Sequence, residues 1–445
     1  MRLGAEAMDY PHRLVFVAPS AYTLGGMQVW LNELVVSLGQ YSKWQVSVAL
    51  TSGAHHNHHV YQCVYPALPI TPLINPTGSA EGRRRAITSY LLDHQPALVI
   101  GVNIVDLYPA ARLARARGFR GKVAQSLHAI DADLLADITA NADLLDAVIA
   151  TNRLSCALVE RHSGLPATRV FYAPYGVKAP SKALQSSGPP PLRIAWVGRL
   201  EQPQKRVHDL VVILHRLTKA GIDFQLTIAG DGPEASSLSQ ELEPFMSTGS
   251  VVIAGALSSD ELARQVYATH HALLITSSWE TGPIVAWEAM AAGLAVVSSA
   301  YVGSGLEQAL VDGHTALLFP VGDADAAARV LARLQDPALR ERLCRAGRDL
   351  VQQRYMDQAS CNAWIEAFEK VLALSERPLP APEPALAPAG RLERLLGVGP
   401  AESLRRRLGV RFQHTSPGGE WPHTAHGGTD EQVLLRTAAQ LDSHA

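Results

Sequence analysis

The chain has 445 residues, with 39 basic and 41 acidic side chains and a formal net charge of −2. Hydrophobic residues make up 47% and charged residues 18%, a composition typical of a soluble protein with a full hydrophobic core. This balance excludes disorder over most of the length, and it leaves no overall basic field for nucleic acid. At roughly 150 residues per domain, the length predicts two to three domains.

Cysteine spacing and apolar run length indicate the compartment. The four cysteines are scattered without a CxxC pair, which is typical of a reducing environment. No apolar run reaches the ~18 residues that a membrane span needs. The N-terminal residues lack the basic flank and long apolar core of a signal peptide. We therefore expect a cytoplasmic protein.

Short β-branched runs recur along the chain, each followed by a longer segment of helical periodicity. The first series is Leu14–Ala18, Val46–Leu50, Ala97–Gly101, Val123–Leu127, Ala147–Thr151 and Val170–Ala173. After a run of small residues and prolines, a second series follows: Arg193–Gly198, Gln225–Gly230, Val251–Gly255, Ala272–Ser278, Ala295–Ser299 and Ala316–Pro320. Apolar strands that alternate with helices predict parallel sheets covered on both faces. The second series could extend the first sheet, but the proline-rich break favours two separate doubly wound domains.

This pattern predicts an α/β protein of two Rossmann-like, doubly wound parallel-sheet domains that face a central cleft. The expected segments are an N-terminal extension (1–12), a first domain (13–180), a linker (181–191), a second domain (192–355), a final amphipathic helix (356–374), a proline-rich spacer (377–390) and a disordered tail (391–445). In such folds ligands bind outside the carboxyl ends of the strands. Functional residues are therefore expected in the loops that follow the strands.

The segment SSWETGPIVAWEAMAAG, residues 277–293, joins a strand end to a helix. Pro283 suits the first helical position and the last glycine suits the helix end, so Glu280 precedes the helix and Glu288 lies inside it. The amide groups after Gly282 would then bind phosphate, and the two carboxylates would accept hydrogen bonds from sugar or ribose hydroxyls. The alternative is that Glu280 only caps the helix and Glu288 only faces solvent.

Three other candidates lie at strand ends. Arg199 and Lys205 flank a loop after the first strand of the second series, where two cations would neutralise a diphosphate without a metal. Gly25 and Gly26 allow a ligand to approach the backbone of the first domain. His128 could contact a sugar hydroxyl or a reacting oxygen. Each candidate also has a structural alternative. The two cations could simply be solvated, the two glycines could form an ordinary strand-to-helix turn, and the histidine could be structural.

Two kinds of motif resemble other binding sites. Gly230–Ala235 matches the GxGxxA dinucleotide fingerprint, but Asp231 would face the pyrophosphate and no acid ends the next strand. The DxD pairs Asp131–Asp133 and Asp323–Asp325 resemble metal ligands. The second suits a helix N-cap and the first a solvated turn. We therefore expect neither a nicotinamide cofactor nor a metal.

Basic clusters in the chain predict solvated faces or an anionic partner. Arg83–Arg85 and Arg405–Arg407 are expected to be solvated. Residues 1–180 carry 15 basic and 12 acidic groups, a net charge of +3. This excess could favour peripheral attachment to the inner face of a membrane. The arginines that would contribute are those at positions 112, 115, 117 and 120.

Taken together, these residues resemble the retaining glycosyltransferases of family 4 (glycosyl transferases group 1), which have the GT-B fold. Glu280 and Glu288 stand at the family's E-x7-E spacing, and Arg199 and Lys205 match its GR…K pair. Several motifs occur in the family's order over residues 13–374, and their joint occurrence is far more specific than any one of them. The GDGP loop at 230–233 and the first-domain glycine pair at 25–26 belong to this set.

The resemblance implies a nucleotide-diphosphate sugar held mainly by the second domain and an acceptor bound by the first. It implies that Glu288 binds the ribose and Glu280 contacts the transferred sugar. Arg199 and Lys205 would hold the diphosphate, and His128 would lie close to the donor sugar. The donor-binding set implied in this way comprises Gly25, Gly26, Gly230, Gly282, Pro283, Ile284, Val285 and Glu288.

The sequence also departs from the family pattern. Tyr175 stands where the family usually has asparagine, and Arg206 stands where it usually has glycine after the lysine. Thr281–Pro283 replaces the more common Gly-Phe-Gly. These changes leave the sugar and the nucleotide base open. The final helix is expected to cross back to the first domain, as it does in this fold.

The function implied is sugar transfer to an acceptor hydroxyl with retention of configuration, without a metal, in polysaccharide, glycolipid or glycoconjugate synthesis. The expected partners are the nucleotide sugar and a sugar, glycan or lipid-linked acceptor, with no nucleic acid. Two alternatives stay open: a related GT-B enzyme (a disaccharide phosphorylase or a sugar-nucleotide epimerase), and a non-catalytic binding protein on the same scaffold.

Overall fold

The computed structural model describes residues 12–20, 26–178, 191–382, 386–414, 417–428 and 430–443. The expected N-terminal extension, apart from residue 12, and the linker, apart from residue 191, lie outside the described residues. Gly25 of the predicted donor-binding set also lies outside them.

Thirteen strands are present in the described ranges. They are β1 (Arg13–Ala18), β2 (Gln45–Ser52), β3 (Ile70–Ile74), β4 (Leu98–Val102), β5 (Lys122–Leu127), β6 (Ala147–Ala150), β7 (Val170–Tyr172), β8 (Leu192–Val197), β9 (Phe224–Ala229), β10 (Val251–Gly255), β11 (Ala272–Ile275), β12 (Ala295–Ser299) and β13 (Ala316–Phe319). Both predicted series are therefore found, with ends that differ by at most three residues.

Helices connect these strands and continue beyond the last one. They are α1 (Gly26–Tyr41), α2 (His58–Val64), α3 (Ala80–His94), α4 (Leu107–Ala116), α5 (Ala132–Ala140), α6 (Arg153–His162), α7 (Asp209–Lys219), α8 (Ala235–Met246), α9 (Ser259–Glu261), α10 (Ile284–Ala292), α11 (Ala324–Arg333), α12 (Pro337–Arg354), α13 (Asp357–Ala373), α14 (Arg391–Leu396), α15 (Val398–Leu408) and α16 (Glu431–Ser443). A π-helical turn, Leu262–Tyr267, extends α9.

The chain folds into two compact units, each with its own parallel sheet. Unit 1 comprises Met1–Thr151, Cys156–Ala173 and Cys361–Glu431; unit 2 comprises Asn152–Ser155, Pro174–Ser360 and Gln432–Ala445. The sheet of unit 1 has the order β3-β2-β1-β4-β5-β6-β7, and the sheet of unit 2 has the order β10-β9-β8-β11-β12-β13. The prediction of two doubly wound domains instead of one extended sheet is thus confirmed.

The order of each sheet fixes where its ligand edge lies. Chain order reverses between β1 and β4 in unit 1, and between β8 and β11 in unit 2. At such a switch point, the loops that follow the two neighbouring strands leave toward opposite faces of the sheet and open a crevice at the carboxyl ends. In unit 2, the two loops concerned are those predicted to carry the functional residues.

The expected disorder of residues 391–445 is wrong for the described part of this tail. It contains α14, α15 and α16, and the Trp421 side chain is fully buried. Glu402 accepts hydrogen bonds from the hydroxyls of Thr77 (2.9 Å) and Ser79 (2.5 Å). The partners of Glu402 are thus more than 300 positions away in the sequence, which local composition does not reveal.

Several arginines expected at solvated or membrane-facing positions are paired inside unit 1. Arg83 bonds to Asp106 at 2.8 Å and Arg405 to Glu393 at 2.5 Å, all four side chains being buried, so the expectation of solvated faces is wrong for these two arginines. The two arginines at 112 and 115 likewise pair with the aspartates at 143 and 146. Only those at 117 and 120 of the four remain exposed. In the described ranges, no helix combines the length and apolarity needed to cross a bilayer.

The first residues of the proline-rich spacer, 377–382, have no regular secondary structure and are hydrogen-bonded to other residues of unit 1. The backbone of Ala381 donates to the Asp143 carboxylate at 3.1 Å, and its carbonyl accepts from Arg112 at 3.1 Å. Because both the amide and the carbonyl of Ala381 are held in this way, residues 377–382 do not form a free spacer.

Candidate active site

The loops after β8 and β11 are tied together at the switch point of unit 2. The hydroxyl of Thr276 donates to the carbonyl of Lys205 at 2.7 Å, and the amide of Ser278 donates to the carbonyl of Gln204 at 2.7 Å. β8 and β11 pair directly in the sheet beneath. The loop segments on either side of these bonds therefore form one surface at the carboxyl edge of this sheet.

Lys205 and Glu280, which the sequence predicted as separate candidates, form an ion pair on this surface. The Lys205 ammonium lies 2.6 Å from Glu280 Oε1, which also accepts from the hydroxyl of Ser277 at 2.6 Å. The Gln204 side-chain amide donates to Glu280 Oε2 at 3.4 Å and to the carbonyl of Trp279 at 3.0 Å. Glu280 is only 6% exposed, whereas the lysine side chain is 21% exposed. The arrangement orients a buried carboxylate and leaves part of the cation accessible at the surface.

Arg199 follows the same strand, but its side chain is held differently. It is 69% exposed, and its Nε lies 3.9 Å from the Glu201 carboxylate. An exposed ion pair at this distance contributes little free energy. Arg199 thus follows the strand that the sequence predicted, but its side chain is not part of the Lys205–Glu280 hydrogen-bond set.

The GDGP loop packs its backbone directly against the end of β8. Gly230 has a φ of +145°, and a methyl group on its Cα would overlap the carbonyl oxygen of Gly198. The Gly230 amide donates to the carbonyl of Gly255 at 2.7 Å. Gly230 is therefore required by a close backbone approach beside Arg199, in addition to any contact with a ligand.

The helix α10 begins where the sequence predicted, within one residue. Pro283 is its N-cap, Ile284 and Val285 are in its first turn, and Gly293 (φ +91°) ends it. The preceding Gly282 also has a positive φ, +104°. The first-turn amides of a helix have no partner within the helix and attract anions. This segment thus provides a helix N-terminus suited to phosphate, close after Glu280 in the chain.

Glu288 lies on α10 and has a specific partner instead of simply facing solvent. The hydroxyl of Tyr267 donates to its Oε2 at 2.8 Å. Burial and the nearby Glu288 carboxylate raise the pKa of Tyr267 well above its usual range, so this hydroxyl stays protonated. A neutral donor on one oxygen orients the carboxylate.

Arg206 explains one departure from the family pattern. Its φ is +51°, in the left-handed region where glycine is usual. Its guanidinium bonds to both carboxylate oxygens of Asp209, at 2.8 and 3.0 Å. This bidentate pair directs the Arg206 side chain to Asp209.

In unit 1, His128 follows β5 and is 8% exposed. Its Nε2 lies 2.9 Å from the Ser126 hydroxyl, and its ring centroid is 4.2 Å from that of Trp30. Burial lowers the pKa of His128 to about 3. Since the Ser126 hydroxyl donates to the carbonyl of Gly101, the neutral imidazole donates through Nε2. Gly26, the other described candidate of this unit, is the first residue of α1.

We expect His128 to make the protein sensitive to acid. An unfolded histidine titrates near 6.5 and folded His128 near 3, so between these values the unfolded state binds more protons. Stability should therefore fall as the pH drops from 6.5 toward 3, by up to ~1.4 kcal/mol per unit from this residue. His128→Gln should flatten the dependence of the thermal midpoint on pH between 7 and 4.5. His314→Gln, at an exposed position, should not; equal slopes for wild type and His128→Gln would contradict the assignment.

The carboxyl edge of unit 1, where the acceptor is expected, is contacted by the tail of the chain. Glu420 accepts from the backbone amides of Ala54 (2.9 Å) and His55 (2.6 Å), just after β2. His423 Nδ1 lies 2.9 Å from the carbonyl of Asn103, just after β4. The loops that would bind an acceptor therefore include contacts with residues 417–428.

The DxD pairs are helix caps in the structure. Asp131 accepts from the amides of Asp133 and Leu134 and caps α5, so the expectation of a solvated turn is wrong for Asp131. Asp323 accepts from the amide of Ala326 and caps α11, as predicted. Within the parts of the chain that the structure describes, no group of three or more His, Cys, Asp or Glu residues is arranged to hold a metal.

Comparisons with known proteins find glycosyltransferases that are similar to this chain in sequence and in structure. Residues 191–336 match the family described as glycosyl transferases group 1. A glycogen synthase of Mycobacterium tuberculosis is 28% identical over 292 residues, 63% of this chain and 66% of that protein. A phosphatidyl-myo-inositol mannosyltransferase of Mycobacterium leprae is 34% identical over 197 residues, 43% of this chain and 50% of that protein. The crystal structure of Anabaena HepE in complex with UDP is similar with a TM-score of 0.66 and 16% identity, over 80% of this chain and 99% of HepE.

The chain has the GT-B fold. Its two parallel-sheet, Rossmann-like units and its similarity to solved structures such as HepE both show this. The residues that match the glycosyl transferases group 1 family, 191–336, include the Lys205–Glu280 pair and α10. The chain aligns with only part of each curated relative. The alignment spans 66% of the glycogen synthase and half of the mannosyltransferase.

Sequence reasoning missed the residues that hold the candidates in place. Ser277 and Gln204 are close in sequence to predicted residues, and their position in strand-end loops was the available signal. Tyr267, the partner of Glu288, lies 21 positions upstream in a π-helical turn, and no local pattern connects the two.

Proposed function

We propose that this protein transfers a sugar from a nucleotide-diphosphate sugar to an acceptor hydroxyl, with retention of configuration, as a family 4 glycosyltransferase. The observation that carries the proposal is the Lys205–Glu280 pair at the switch point of unit 2, beside the N-terminus of α10. A cation, an oriented carboxylate and a helix N-terminus are suited to a diphosphate joined to a polyhydroxylated group. The UDP in the HepE structure supports a nucleoside diphosphate as the leaving group.

In the proposed reaction, the bond between the anomeric carbon and the diphosphate oxygen breaks as the acceptor oxygen bonds to the same face of that carbon. The acceptor proton passes to the departing diphosphate. Lys205, Arg199 and the first-turn amides of α10 would neutralise the charge that develops on the diphosphate. Glu280 would hold hydroxyls of the transferred sugar, and His128, for which the family resemblance implies a position close to the donor sugar, would act as a neutral group. No step requires a metal.

The proposed acceptor binds unit 1 and belongs to polysaccharide, glycolipid or glycoconjugate synthesis, in the cytoplasm. Attachment to an anionic membrane would rest on few groups, because Arg112 and Arg115 are engaged with carboxylates. At about 1 kcal/mol per exposed cation, two arginines give only weak, salt-sensitive binding. Sedimentation with anionic vesicles at low and high salt measures it.

The proposal is tested by sugar transfer from a panel of UDP-, GDP- and ADP-sugars to a mixed glycan and lipid acceptor panel, with and without excess EDTA. Transfer that persists in EDTA and gives an α-linked product from an α-linked donor supports every part of it. Loss in EDTA with recovery on adding Mn²⁺ would overturn metal independence, and an inverted product would overturn retention. Product formed only with inorganic phosphate would identify a phosphorylase, and an epimerised nucleotide sugar without acceptor would identify an epimerase.

We expect Glu288→Gln to weaken binding of the nucleoside diphosphate. A carboxylate that accepts ribose hydroxyls contributes roughly 1.5–3 kcal/mol per hydrogen bond, or about 10- to 150-fold in affinity. Isothermal titration calorimetry with the matching nucleoside diphosphate measures the change, and circular dichroism checks the fold. Tyr267→Phe is the matched control, since it removes the hydroxyl that donates to Glu288 and keeps the carboxylate. Unchanged affinity in Glu288→Gln would remove the ribose role.

A further inference from the structure

A loop of unit 2 holds a carboxylate through three backbone amides. The amides of Gly303 and Gly305 donate to Asp442 Oδ2 at 2.7 and 3.0 Å, and the amide of Leu306 donates to Oδ1 at 2.8 Å. Successive backbone amides that converge on one point form the concavities with which proteins bind phosphate and other oxyanions. We call residues 303–306 the anion loop; its occupant is a side chain of the chain's own terminal helix, α16.

The anion loop is fixed by groups other than Asp442. The carboxylate of Glu307, which follows the loop, is buried and accepts from the hydroxyl of Tyr355 at 2.7 Å and from the amide of Arg153 at 3.2 Å. The side-chain amide of Asn152 donates to the carbonyl of Gly303 at 3.1 Å. The three amide donors are therefore oriented by the surrounding protein and would keep their direction without the aspartate.

The anion loop adjoins the carboxylate of the candidate active site. Gly303 has a φ of +111°, and a methyl group on it would overlap the carbonyl oxygen of Glu280. The amide of Glu280 donates to the carbonyl of Val302 at 3.0 Å. Burial, and then the carboxylates of Glu280, Glu307 and Asp442, raise the pKa of Tyr301 well above its usual range. An anion bound by the loop would thus lie in the neighbourhood of Glu280.

The helix that carries the occupant has three buried side chains. Leu434, Ala438 and Asp442 are the buried side chains of the thirteen-residue α16. A helix of this length is marginal in isolation. Asp442 lies in its last turn, where a negative charge opposes the helix dipole. The aspartate is therefore unfavourable for α16 by itself and favourable only in the anion loop, so a competing anion can displace it.

We propose that the anion loop is a binding site for a phosphate-class oxyanion and that Asp442 is its internal competitor. With α16 docked, the carboxylate fills the site. When a phosphate or diphosphate occupies the three amides, Asp442 leaves and α16 is released. Binding of this kind does not depend on sugar transfer, and it can be measured whether or not the protein is a transferase.

The test measures binding of inorganic phosphate and, separately, of UDP to the full chain by isothermal titration calorimetry. Asp442→Ala should bind phosphate at least tenfold more tightly than wild type. The double variant Asp442→Ala with Gly305→Ala should lose that gain. The new methyl carbon would lie 3.0 Å from the present Cγ and 3.1 Å from Oδ1, too close for an anion at the same place. It would also lie 2.2 Å from the backbone carbonyl oxygen of residue 442, so α16 should undock as well. Asp312→Ala is the matched control; this exposed aspartate accepts one amide, that of Leu318, at 2.8 Å, and its loss should give no gain.

The two ligands distinguish the source of the anion. A gain for inorganic phosphate identifies free phosphate as sufficient, and a gain for UDP alone identifies the diphosphate of a nucleotide. Hydrogen exchange in α16 should accelerate in Asp442→Ala, and in wild type when the anion is added. If Asp442→Ala does not fold, Asp442→Asn, which keeps the shape and loses the charge, is compared with Asp312→Asn. No gain with either ligand, or a gain that survives Gly305→Ala, would overturn the proposal.

Discussion

Lys205→Ala is expected to lower the rate of sugar transfer by about 10²–10³-fold, equivalent to roughly 2.7–4 kcal/mol of transition-state stabilisation. The leaving nucleoside diphosphate gains negative charge as its bond to the sugar breaks, and the Lys205 ammonium is already placed beside the Glu280 carboxylate at 2.6 Å. Removing it leaves the site with one cation fewer and leaves a buried carboxylate without its charged partner. The initial rate with a matched donor and acceptor measures the loss.

The alternative contribution of Lys205 is purely structural, and a second variant separates the two. Lys205→Arg keeps the charge but replaces a compact ammonium with a planar fork, so it should restore stability more than it restores rate. Lys219→Ala removes an exposed lysine from the last turn of α7 and should change neither quantity. A rate in Lys205→Ala within a factor of about three of wild type, far short of the loss typical for a preorganised donor, would exclude the proposed role in leaving-group stabilisation.

Arg199→Ala is expected to lower the rate of sugar transfer by a similar factor. Unlike Lys205→Ala, it should do so without lowering stability. The Arg199 side chain is 69% exposed and weakly paired, so its removal should leave stability unchanged. A kinetic loss without a stability loss would assign Arg199 to the ligand alone. Lys205→Ala should lower both the rate and the stability.

The two sheets could be predicted from the sequence because the patterns that indicate their strands are local. Continuous apolar runs and a proline-rich break do not depend on distant partners, and they predicted both strand series. β3 was missed because Pro72 lies within its ITPLI sequence. The strand lies at the edge of its sheet, where the absent amide hydrogen of proline is tolerated.

The candidate site was predictable as a set of residues and only partly as a geometry. Lys205 and Glu280 each follow a strand, and parallel strands end at one edge, so their proximity follows from the topology. Their direct pairing depends on the rotamer of each side chain and on Ser277. The contacts of Glu402 and Asp442 depend on partners more than a hundred positions away, and the composition of the tail predicted disorder instead.

Gly230→Ala is expected to destabilise unit 2 by about 3 kcal/mol or more. A non-glycine residue at a strained, positive φ costs of order 1–3 kcal/mol. Here the added methyl group would also overlap the carbonyl oxygen of Gly198, which belongs to the backbone and cannot rotate away. For a domain of this size, 1 kcal/mol corresponds to about 2–4 °C, so the thermal midpoint should fall by roughly 6–12 °C.

The matched control for this prediction is Gly221→Ala, which separates the two causes. Gly221 also has a positive φ, +70°, but a methyl group on it would meet no atom within 4 Å. It should therefore lose only the cost of a left-handed residue, about 1–2 kcal/mol. The difference between the variants measures the close approach of the GDGP loop to β8. If both lost the same stability, the backbone contact would not be the reason for glycine at position 230, and a requirement for ligand contact would become the better explanation.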